Sequence, residues 1–160
     1  MELTDRADDK SRRYSGGMKR RLMIGMALLH KPKMLFLDEP TVGLDPQVRR
    51  KMWDLIRKMN EAGMTVLLTT HYIEEADQLC RRVAIMNRGR IIAVDTPQKL
   101  KEKVGRVVVE HMEADGMINN FFDNREQAAS YVAGLDSNAT VREANLEDVF
   151  IELTGRRVND

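Results

Sequence analysis

The feature that most constrains the fold is a run of four apolar residues, 34–37, followed directly by Asp38 and Glu39. A short apolar run bounded in this way is typical of a strand that is buried on both faces of a parallel sheet. The two carboxylates would then lie at the carboxyl end of the strand, where open α/β sheets bind their ligands. The alternative is a strand that simply ends in solvated acids. The run therefore predicts an α/β fold with a candidate site at Asp38 and Glu39.

Apolar periodicity and turn residues place the other elements of an α/β domain. The spacing of Leu22, Met26 and Leu29 predicts a helix over 15–29, and Pro46 is well placed to begin the next helix. The alternation of strands and helices indicates a layered domain with crossover helices. The remaining predicted elements are the end of the second helix at Gly63, a strand over 65–70, a helix over 73–79, a strand over 83–86, a turn over 87–89, a strand over 90–94 and a helix that begins at Pro97 and ends at Gly105.

The character of the sequence changes after Gly105. The pattern there predicts a strand over 106–111, a helix over 126–133, a strand over 139–142 and a helix over 146–153. A segment of about 50 residues rarely folds alone. We therefore expect two parts, residues 1–105 as the main α/β domain and residues 106–160 as a small α+β C-terminal extension.

Composition excludes several classes of protein. The chain has 160 residues, of which 42% are hydrophobic and 32% are charged, so a packed core is expected rather than a disordered chain. A net charge of +1 gives the protein as a whole no electrostatic attraction to nucleic acid or anionic lipid. The longest apolar stretch, residues 22–29, is far shorter than the roughly 20 residues that span a bilayer. The single cysteine, Cys80, favours a reducing compartment and has no expected redox role, so we expect a cytoplasmic globular protein.

A second candidate site lies at Ser15, Gly16 and Gly17, where the first predicted helix begins. Small residues let backbone N–H groups approach a ligand closely, and a helix N-terminus carries a partial positive charge. Such a turn is suited to bind phosphate. The alternative is that Ser15 is an ordinary N-cap followed by two loop glycines.

Asp38, Glu39 and His71 carry the predicted chemistry at the sheet edge. Asp38 can hold Mg²⁺ directly or through water, and Glu39 can act as general base toward a water molecule. His71 follows the second predicted strand, so it should lie at the same edge and could donate a hydrogen bond to a γ-phosphate. The alternatives are a structural histidine at 71 and a plain N-cap at Asp45. A metal site through His71 is not expected, because the other histidines fall at no ligand spacing such as His-Glu-x-x-His.

Four motifs in a fixed order resemble those of the ATP-binding cassette (ABC) ATPases. They are Tyr14-Ser15-Gly16-Gly17-Met18-Lys19-Arg20 for the signature, Leu35-Phe36-Leu37-Asp38-Glu39-Pro40 for Walker B with the catalytic glutamate, Val42-Gly43-Leu44-Asp45 for the D-loop and Thr70-His71 for the switch histidine. The resemblance covers at least residues 5–96. The tail, residues 145–155, is similar to that of subunits that power the export of drugs, antibiotics or polysaccharides.

The resemblance implies a fold, a reaction and a set of partners. The fold is part of an α/β P-loop nucleotide-hydrolase sheet, and the reaction is the hydrolysis of ATP with Mg²⁺. The implied catalytic residues are Glu39 and His71, the implied Mg²⁺ ligand is Asp38, and the implied nucleotide-binding residues are Ser15, Gly16, Gly17, Met18 and Asp45. The implied partners are a second ATPase subunit, whose signature completes each site, and a membrane permease, with no nucleic acid. Such a subunit lies in the cytoplasm, peripheral on the inner face of the cell membrane.

The sequence also departs from the family pattern. It contains no Gly-x-x-x-x-Gly-Lys-Ser/Thr motif, which is the Walker A loop that cradles the β- and γ-phosphates, and Met18 replaces the usual glutamine. We therefore expect the chain to be the C-terminal portion of an ATPase subunit, with incomplete parts of two sites, and to be inactive alone. Without a P-loop strand, the apolar faces of strands 34–37 and 65–70 should lack neighbours, which a dimer or a swapped arrangement would cover.

Two other classes of protein stay open at this point. ATPases of chromosome maintenance and DNA repair share these motifs after a long coiled coil, but residues 1–13 are too few to show heptads. A non-catalytic interaction module is compatible with the missing Walker A loop. Lys19, Arg20 and Arg21 could favour nucleic acid, but their helical spacing predicts a solvated helix face, and aromatic residues make up only 5% of the chain.

Overall fold

A parallel pair of strands forms the centre of the first unit of the chain, residues 1–75. The computed structural model describes residues 4–113, 116–135 and 137–155. In chain order, the first elements are the 3-10 helices Thr4–Arg6 and Ser11–Arg13, α1 (Gly16–Leu28), β1 (Met34–Asp38), α2 (Pro46–Glu61), β2 (Thr65–Thr69) and α3 (Ile73–Leu79), which continues into the second unit.

The pairing of β1 with β2 is in register from end to end. Met34 lies opposite Thr65 and Asp38 lies opposite Thr69, with the two strands parallel. A parallel pair cannot be joined by a tight turn, and α2 is the crossover that it needs. The α/β arrangement predicted for this part of the chain is therefore confirmed.

The two faces of β1 are buried to very different extents. Leu35 and Leu37 are buried, whereas Phe36, which points to the opposite face, is 68% exposed, and Leu67 on β2 is exposed as well. The prediction that β1 is buried on both faces is therefore wrong for this chain. The exposure of Phe36 and Leu67 instead agrees with the expectation that, without a P-loop strand, the apolar faces of strands 34–37 and 65–70 lack neighbours.

The second helix begins and packs as predicted. Pro46 occupies its first turn, and the Asp45 Oδ1 accepts a hydrogen bond from the Val48 N–H at 2.9 Å, which makes Asp45 the N-cap. Side chains at helical spacing form its buried face, and these are Met52, Trp53, Ile56 and Met59. This face anchors α2 within the first unit.

The buried face of α1 differs from the predicted one. Ile24 is buried, but Met26 and Leu29 of the predicted apolar stripe are exposed. Arg20, Ile24 and Ala27 line a groove between α1 and β1. A sheet of two strands offers α1 a narrow surface, so only a narrow strip of the helix is covered.

The second unit, residues 76–160, contains two antiparallel sheets in its described residues. Its elements are β3 (Val83–Asn87), β4 (Arg90–Asp95), α4 (Pro97–Val104), β5 (Val107–Glu113), β6 (Gly116–Phe122), α5 (Arg125–Val132), β7 (Ala139–Glu143) and α6 (Leu146–Gly155). β3 and β4 form the predicted hairpin, and Arg88 and Gly89 in its turn both have a positive φ, as a type I′ turn requires. β5 is the central strand of the other sheet, in the order β6-β5-β7, and the pattern did not predict β6.

The predicted α+β extension has a core of its own. Val107 and Val109 of β5 pack with Ala128 of α5. α4, which precedes the boundary predicted near residue 105, also packs against α6, and Leu100 and Val149 on these helices are fully buried. The boundary predicted near residue 105 stays a prediction. None of the helices in the described residues is both long enough and apolar enough to cross a bilayer.

Candidate functional site

Glu39 and His71 are joined at the carboxyl edge of the parallel sheet. The Glu39 N–H donates to the main-chain oxygen of Thr69 at 3.0 Å, which extends the pairing one residue beyond the strands. The His71 Nδ1 lies 3.0 Å from the Glu39 Oε1, and the His71 N–H donates to the Glu39 Oε2 at 3.4 Å. These residues therefore meet at one edge of the sheet, as their positions in the sequence predicted, while their chemical roles stay predictions.

Asp38 is the exposed carboxylate of the same edge. Its Oδ1 accepts a hydrogen bond from the Thr69 hydroxyl. The described residues contain no group of three or more His, Cys, Asp or Glu side chains that could hold a metal by themselves. Mg²⁺ usually keeps several waters and takes one or two carboxylates together with substrate phosphates, so a single open carboxylate fits this ion. We refer to Asp38, Glu39 and His71 as the acidic edge.

The Glu39–His71 pair is open to solvent. The Glu39 side chain is 33% exposed and the His71 side chain is 62% exposed. An ionised carboxylate only accepts hydrogen bonds, so the Nδ1 of a neutral His71 must carry the proton, and its Nε2 is then an acceptor. The pair therefore holds the Glu39 carboxylate in one orientation at an edge that solvent can reach.

Arg20 reaches the acidic edge from α1. Its Nη2 donates to the main-chain oxygen of Glu39 at 2.6 Å, and the side chain is half-buried. The prediction that Lys19, Arg20 and Arg21 form a solvated helix face is therefore wrong for Arg20 and Arg21, which are both half-buried, whereas Lys19 is exposed. The spacing of the sequence carries no signal for this contact, because the acceptor is a main-chain atom.

The start of α1 has a capped and closely packed geometry. The Ser15 Oγ accepts a hydrogen bond from the Met18 N–H at 3.2 Å, so Ser15 is an N-cap. A Cβ added to Gly16 would meet nothing within 4 Å, but one added to Gly17 would lie 2.7 Å from the Val48 Cγ1 of α2. Gly16 therefore leaves space for a ligand, whereas Gly17 is needed where α1 approaches α2.

The structure divides the predicted site residues into three local groups. These are the acidic edge, the start of α1 at residues 15–18, and Asp45, which caps α2. Gly43, in the turn before Asp45, has a φ of 74°, which glycine adopts without a steric penalty. Among the described residues, no hydrogen bond or ion pair joins one group of these predicted site residues to another. The starts of α1 and α2 nevertheless lie close together, where Gly17 faces Val48.

Two contacts from α2, which were not among the predictions from the sequence, hold the segment that follows His71. The Trp53 Nε1–H donates to the Glu75 Oε1 at 2.9 Å, and Glu75 is fully buried. The guanidinium carbon of Arg49 lies 4.5 Å from the centre of the Tyr72 ring, a cation–π contact. Arg49 and Trp53 are four residues apart and therefore share a face of α2, a spacing that could have indicated a common partner.

Comparison with known sequences identifies similar proteins over nearly the whole chain. A family model described as "ABC transporter" matches residues 1–42. The chain is 37% identical to the linearmycin resistance ATP-binding protein of Bacillus subtilis (strain 168), in a match that covers 99% of this chain and 61% of that protein. It is 41% identical to the Nod factor export ATP-binding protein I of Burkholderia thailandensis, with 99% and 59% covered. The chain therefore spans about three fifths of the length of these curated relatives.

Solved structures of ABC transporter components have a similar fold. A nucleotide-free ATP-binding cassette from an ABC transporter matches with a TM-score of 0.55 and 27% identity, over 59% of this chain and 38% of that chain. An ATP-binding subunit of an ABC transporter matches with a TM-score of 0.56 and 25% identity, over 89% of this chain and 45% of that chain. The resemblance to ABC ATPases and the predicted α/β fold of that class are confirmed by these matches.

Proposed function

We propose that this chain, a relative of the ATP-binding subunits of ABC transporters, supplies the hydrolytic edge of a subunit that binds and hydrolyses ATP to drive a membrane permease. The observation that carries the proposal is the hydrogen bond between Glu39 and His71 beside Asp38, at the carboxyl edge of a parallel sheet. Open α/β sheets bind their ligands at this edge. The names of the relatives, linearmycin resistance and Nod factor export, favour an exporter.

Each of the three side chains of the acidic edge would have its own role in ATP hydrolysis. Asp38 would hold Mg²⁺, directly or through water, and the bound ion neutralises charge on the phosphates. Glu39 takes the proton of the attacking water as general base, with its carboxylate oriented by the Nδ1–H of His71. Because this Nδ1–H is engaged, His71 can donate a second hydrogen bond to a phosphate oxygen only from Nε2–H of the imidazolium form.

The start of α1 would serve the nucleotide of a second ATPase subunit. The first N–H groups of a helix have no partner within the helix, and the Met18 N–H is already bonded to Ser15. The N–H groups of Gly16 and Gly17 are therefore the ones available to a phosphate. The dimer in which each signature completes the partner's site rests on the resemblance to the ABC ATPases. The nucleotide-binding role of Asp45 rests on the resemblance to the D-loop.

A complete catalytic unit needs a phosphate-binding loop as well. No Gly-x-x-x-x-Gly-Lys-Ser/Thr motif occurs in this sequence. In-line phosphoryl transfer depends largely on the positioning and charge that such a loop supplies. We therefore expect the 160-residue chain not to hydrolyse ATP by itself. The active form would be a longer subunit that carries a P-loop and lies at the cytoplasmic face of the membrane, on its permease.

The test measures Mg²⁺-dependent ATP hydrolysis by a P-loop-bearing subunit that contains this chain. Glu39→Gln should lower turnover by about 10²–10⁴-fold, because the general base is lost, and should leave nucleotide binding intact. Glu74→Gln, an exposed acid on α3, is the matched control and should keep full turnover. Unchanged turnover in Glu39→Gln would contradict the proposal. Mg²⁺-dependent hydrolysis by residues 1–160 alone, lost on Glu39→Gln, would show that no further loop is needed.

A further inference from the structure

Glu39 has an unusual backbone conformation for a residue with a side chain. Its φ is 47°, in the left-handed region that non-glycine residues rarely adopt. The other described non-glycine residues with a positive φ are Lys31, just beyond α1, and Arg88, in the β3–β4 turn. Such a conformation costs free energy and persists only where surrounding contacts hold it, which happens most often at functional sites.

Four residues hold Glu39 in this conformation. Its N–H is fixed by the main-chain oxygen of Thr69, and its carboxylate is fixed by His71. Its main-chain oxygen accepts from the Arg20 Nη2 at 2.6 Å and from the Val42 N–H at 3.4 Å. The short bond from a charged donor is the stronger of the two, so Arg20 contributes most to the orientation of the peptide group after Glu39.

Arg20 is suited to this task by its position and chemistry. It lies on the strip of α1 that faces β1, next to Ile24, and is half-buried there. The guanidinium group is planar and always charged, and it offers several N–H donors in a rigid arrangement. The following residue, Pro40, restricts the backbone of the residue before it, so the left-handed conformation of Glu39 needs support from other contacts.

We propose that Arg20 is a positioning residue that holds the left-handed backbone of Glu39 and thereby directs its carboxylate toward His71 and the attacking water. The inference rests on the proposed function of Glu39 as general base. Without the Arg20 donor, the peptide group after Glu39 would turn, the residue would relax toward a negative φ, and the contact between the Glu39 Oε1 and the His71 Nδ1 would be lost.

The tautomer of His71 reports this contact directly. A carboxylate at Nδ1 selects the Nδ1–H tautomer of neutral imidazole, whereas a histidine released to solvent favours the Nε2–H form. Nitrogen NMR of the ¹⁵N-labelled 160-residue chain, at about pH 8.5 where imidazole is neutral, measures the ratio of the two forms. The buried His111 serves as an internal reference, because its environment lies outside the acidic edge.

The experiment compares Arg20→Gln and Arg20→Lys with Lys19→Gln, a matched control that removes an exposed charge from the neighbouring position of α1. We expect both Arg20 variants to lower the Nδ1–H to Nε2–H ratio of His71 at least about twofold, because neither supplies the rigid guanidinium donor. Lys19→Gln should leave the ratio unchanged. Arg20→Lys keeps the charge and most of the aliphatic stem, so it remains informative if Arg20→Gln does not fold.

An unchanged ratio in a folded Arg20 variant, or an equal change in Lys19→Gln, would overturn the proposal. The readout needs no nucleotide, so it is independent of ATP hydrolysis. In the complete subunit, Arg20→Lys should lower kcat about tenfold with little change in KM, because only the base is misaligned. If Glu39→Gln keeps full turnover while the tautomer still shifts, the proposed function fails and the positioning of Glu39 by Arg20 stands.

Discussion

His71 and His111 show how differently the two units surround a polar side chain. The His71 side chain is 62% exposed and bonds to a carboxylate at an open sheet edge. The His111 side chain is 2% exposed, and its Nε2 lies 3.1 Å from both the Tyr131 hydroxyl and the Asn120 Nδ2. The first histidine keeps a ring nitrogen available to a ligand, whereas the second is enclosed by protein groups.

Charged side chains show the same difference. In the second unit, Arg142 bonds to Asp148 and Glu110, with closest contacts of 2.7 Å to each. Burial opposes the charge on Asp148, but hydrogen bonds from Arg142 and the Asn145 N–H outweigh this effect and lower the pKa of Asp148. The charges of Arg142, Glu110 and Asp148 are thus neutralised by one another within the second unit. The first unit keeps Glu39 in a strained conformation at an open edge, which is typical of a site that acts on a ligand.

Replacing each histidine should give opposite results, and the effect on turnover is the largest that we expect. In the P-loop-bearing subunit, His71→Ala should lower kcat by about 10³-fold, equal to about 4 kcal/mol, with little change in stability. His111→Ala should leave kcat unchanged but lower the free energy of unfolding by about 2 kcal/mol, because Tyr131 and Asn120 lose a buried partner. Steady-state kinetics and urea unfolding measure the two effects. A loss of turnover in a fully folded His111→Ala subunit would contradict this difference between the two histidines.

Removal of Arg142 should have the largest effect on the stability of the second unit. Arg142→Ala leaves the buried Asp148 without its cation and should lower the free energy of unfolding by about 3 kcal/mol. Arg125→Ala is the control, because Arg125 and Glu143 form an exposed pair at 3.7 Å that should contribute about 0–1 kcal/mol. Hydrogen exchange at the core amides of β5 measures both changes. Equal effects of the two substitutions would show that burial of the Arg142 network adds nothing to the free energy of unfolding.

Acid should weaken the same network by a smaller amount. Because the pKa of Asp148 is lowered in the folded state, the stability from its charge is present above the ordinary carboxyl pKa of about 4 and is lost as pH falls through the folded value. Protection of the β5 amides should therefore be constant from about pH 7 to pH 5 and decrease below about pH 4. Asp148→Asn should reduce this dependence. Asp95, whose pKa is lowered mainly by the Thr96 N–H, would account for part of what remains.

The smallest expected effect concerns the contact that holds the segment after His71. Trp53→Phe leaves the Glu75 carboxylate buried without its donor and should lower the free energy of unfolding of the first unit by about 1–2 kcal/mol. Glu75→Gln keeps an acceptor for the indole N–H and should have less effect. Urea unfolding followed by circular dichroism distinguishes the two variants. A larger loss in Glu75→Gln would mean that the charge of Glu75, rather than its acceptor, stabilises this unit.

Features that depend on local patterns could be predicted from the sequence. The apolar run of β1, the N-cap at Asp45 and the turn at Arg88 and Gly89 each follow from residue types within a few positions. The meeting of Glu39 with His71 also followed, because the carboxyl ends of parallel strands share one sheet edge.

Features that depend on distant atoms could not be predicted. β6 contains Asn119 and Asn120, which are poor strand formers, and it is formed because β5 offers it a complete antiparallel partner. The bond from Arg20 depends on the backbone conformation of Glu39, which no residue pattern specifies. The exposure of Phe36 is not specified by β1 itself, although it agrees with the expectation that the apolar faces of strands 34–37 and 65–70 lack neighbours.

The position of Trp53 gives the chain an optical signal of its own. It is the only tryptophan in the sequence, so all indole fluorescence arises from one buried side chain. Its N–H bonds to Glu75, four residues beyond His71. Emission wavelength and quenching should therefore follow movements of the segment that carries His71, and the state of the acidic edge can be monitored in unlabelled protein in real time.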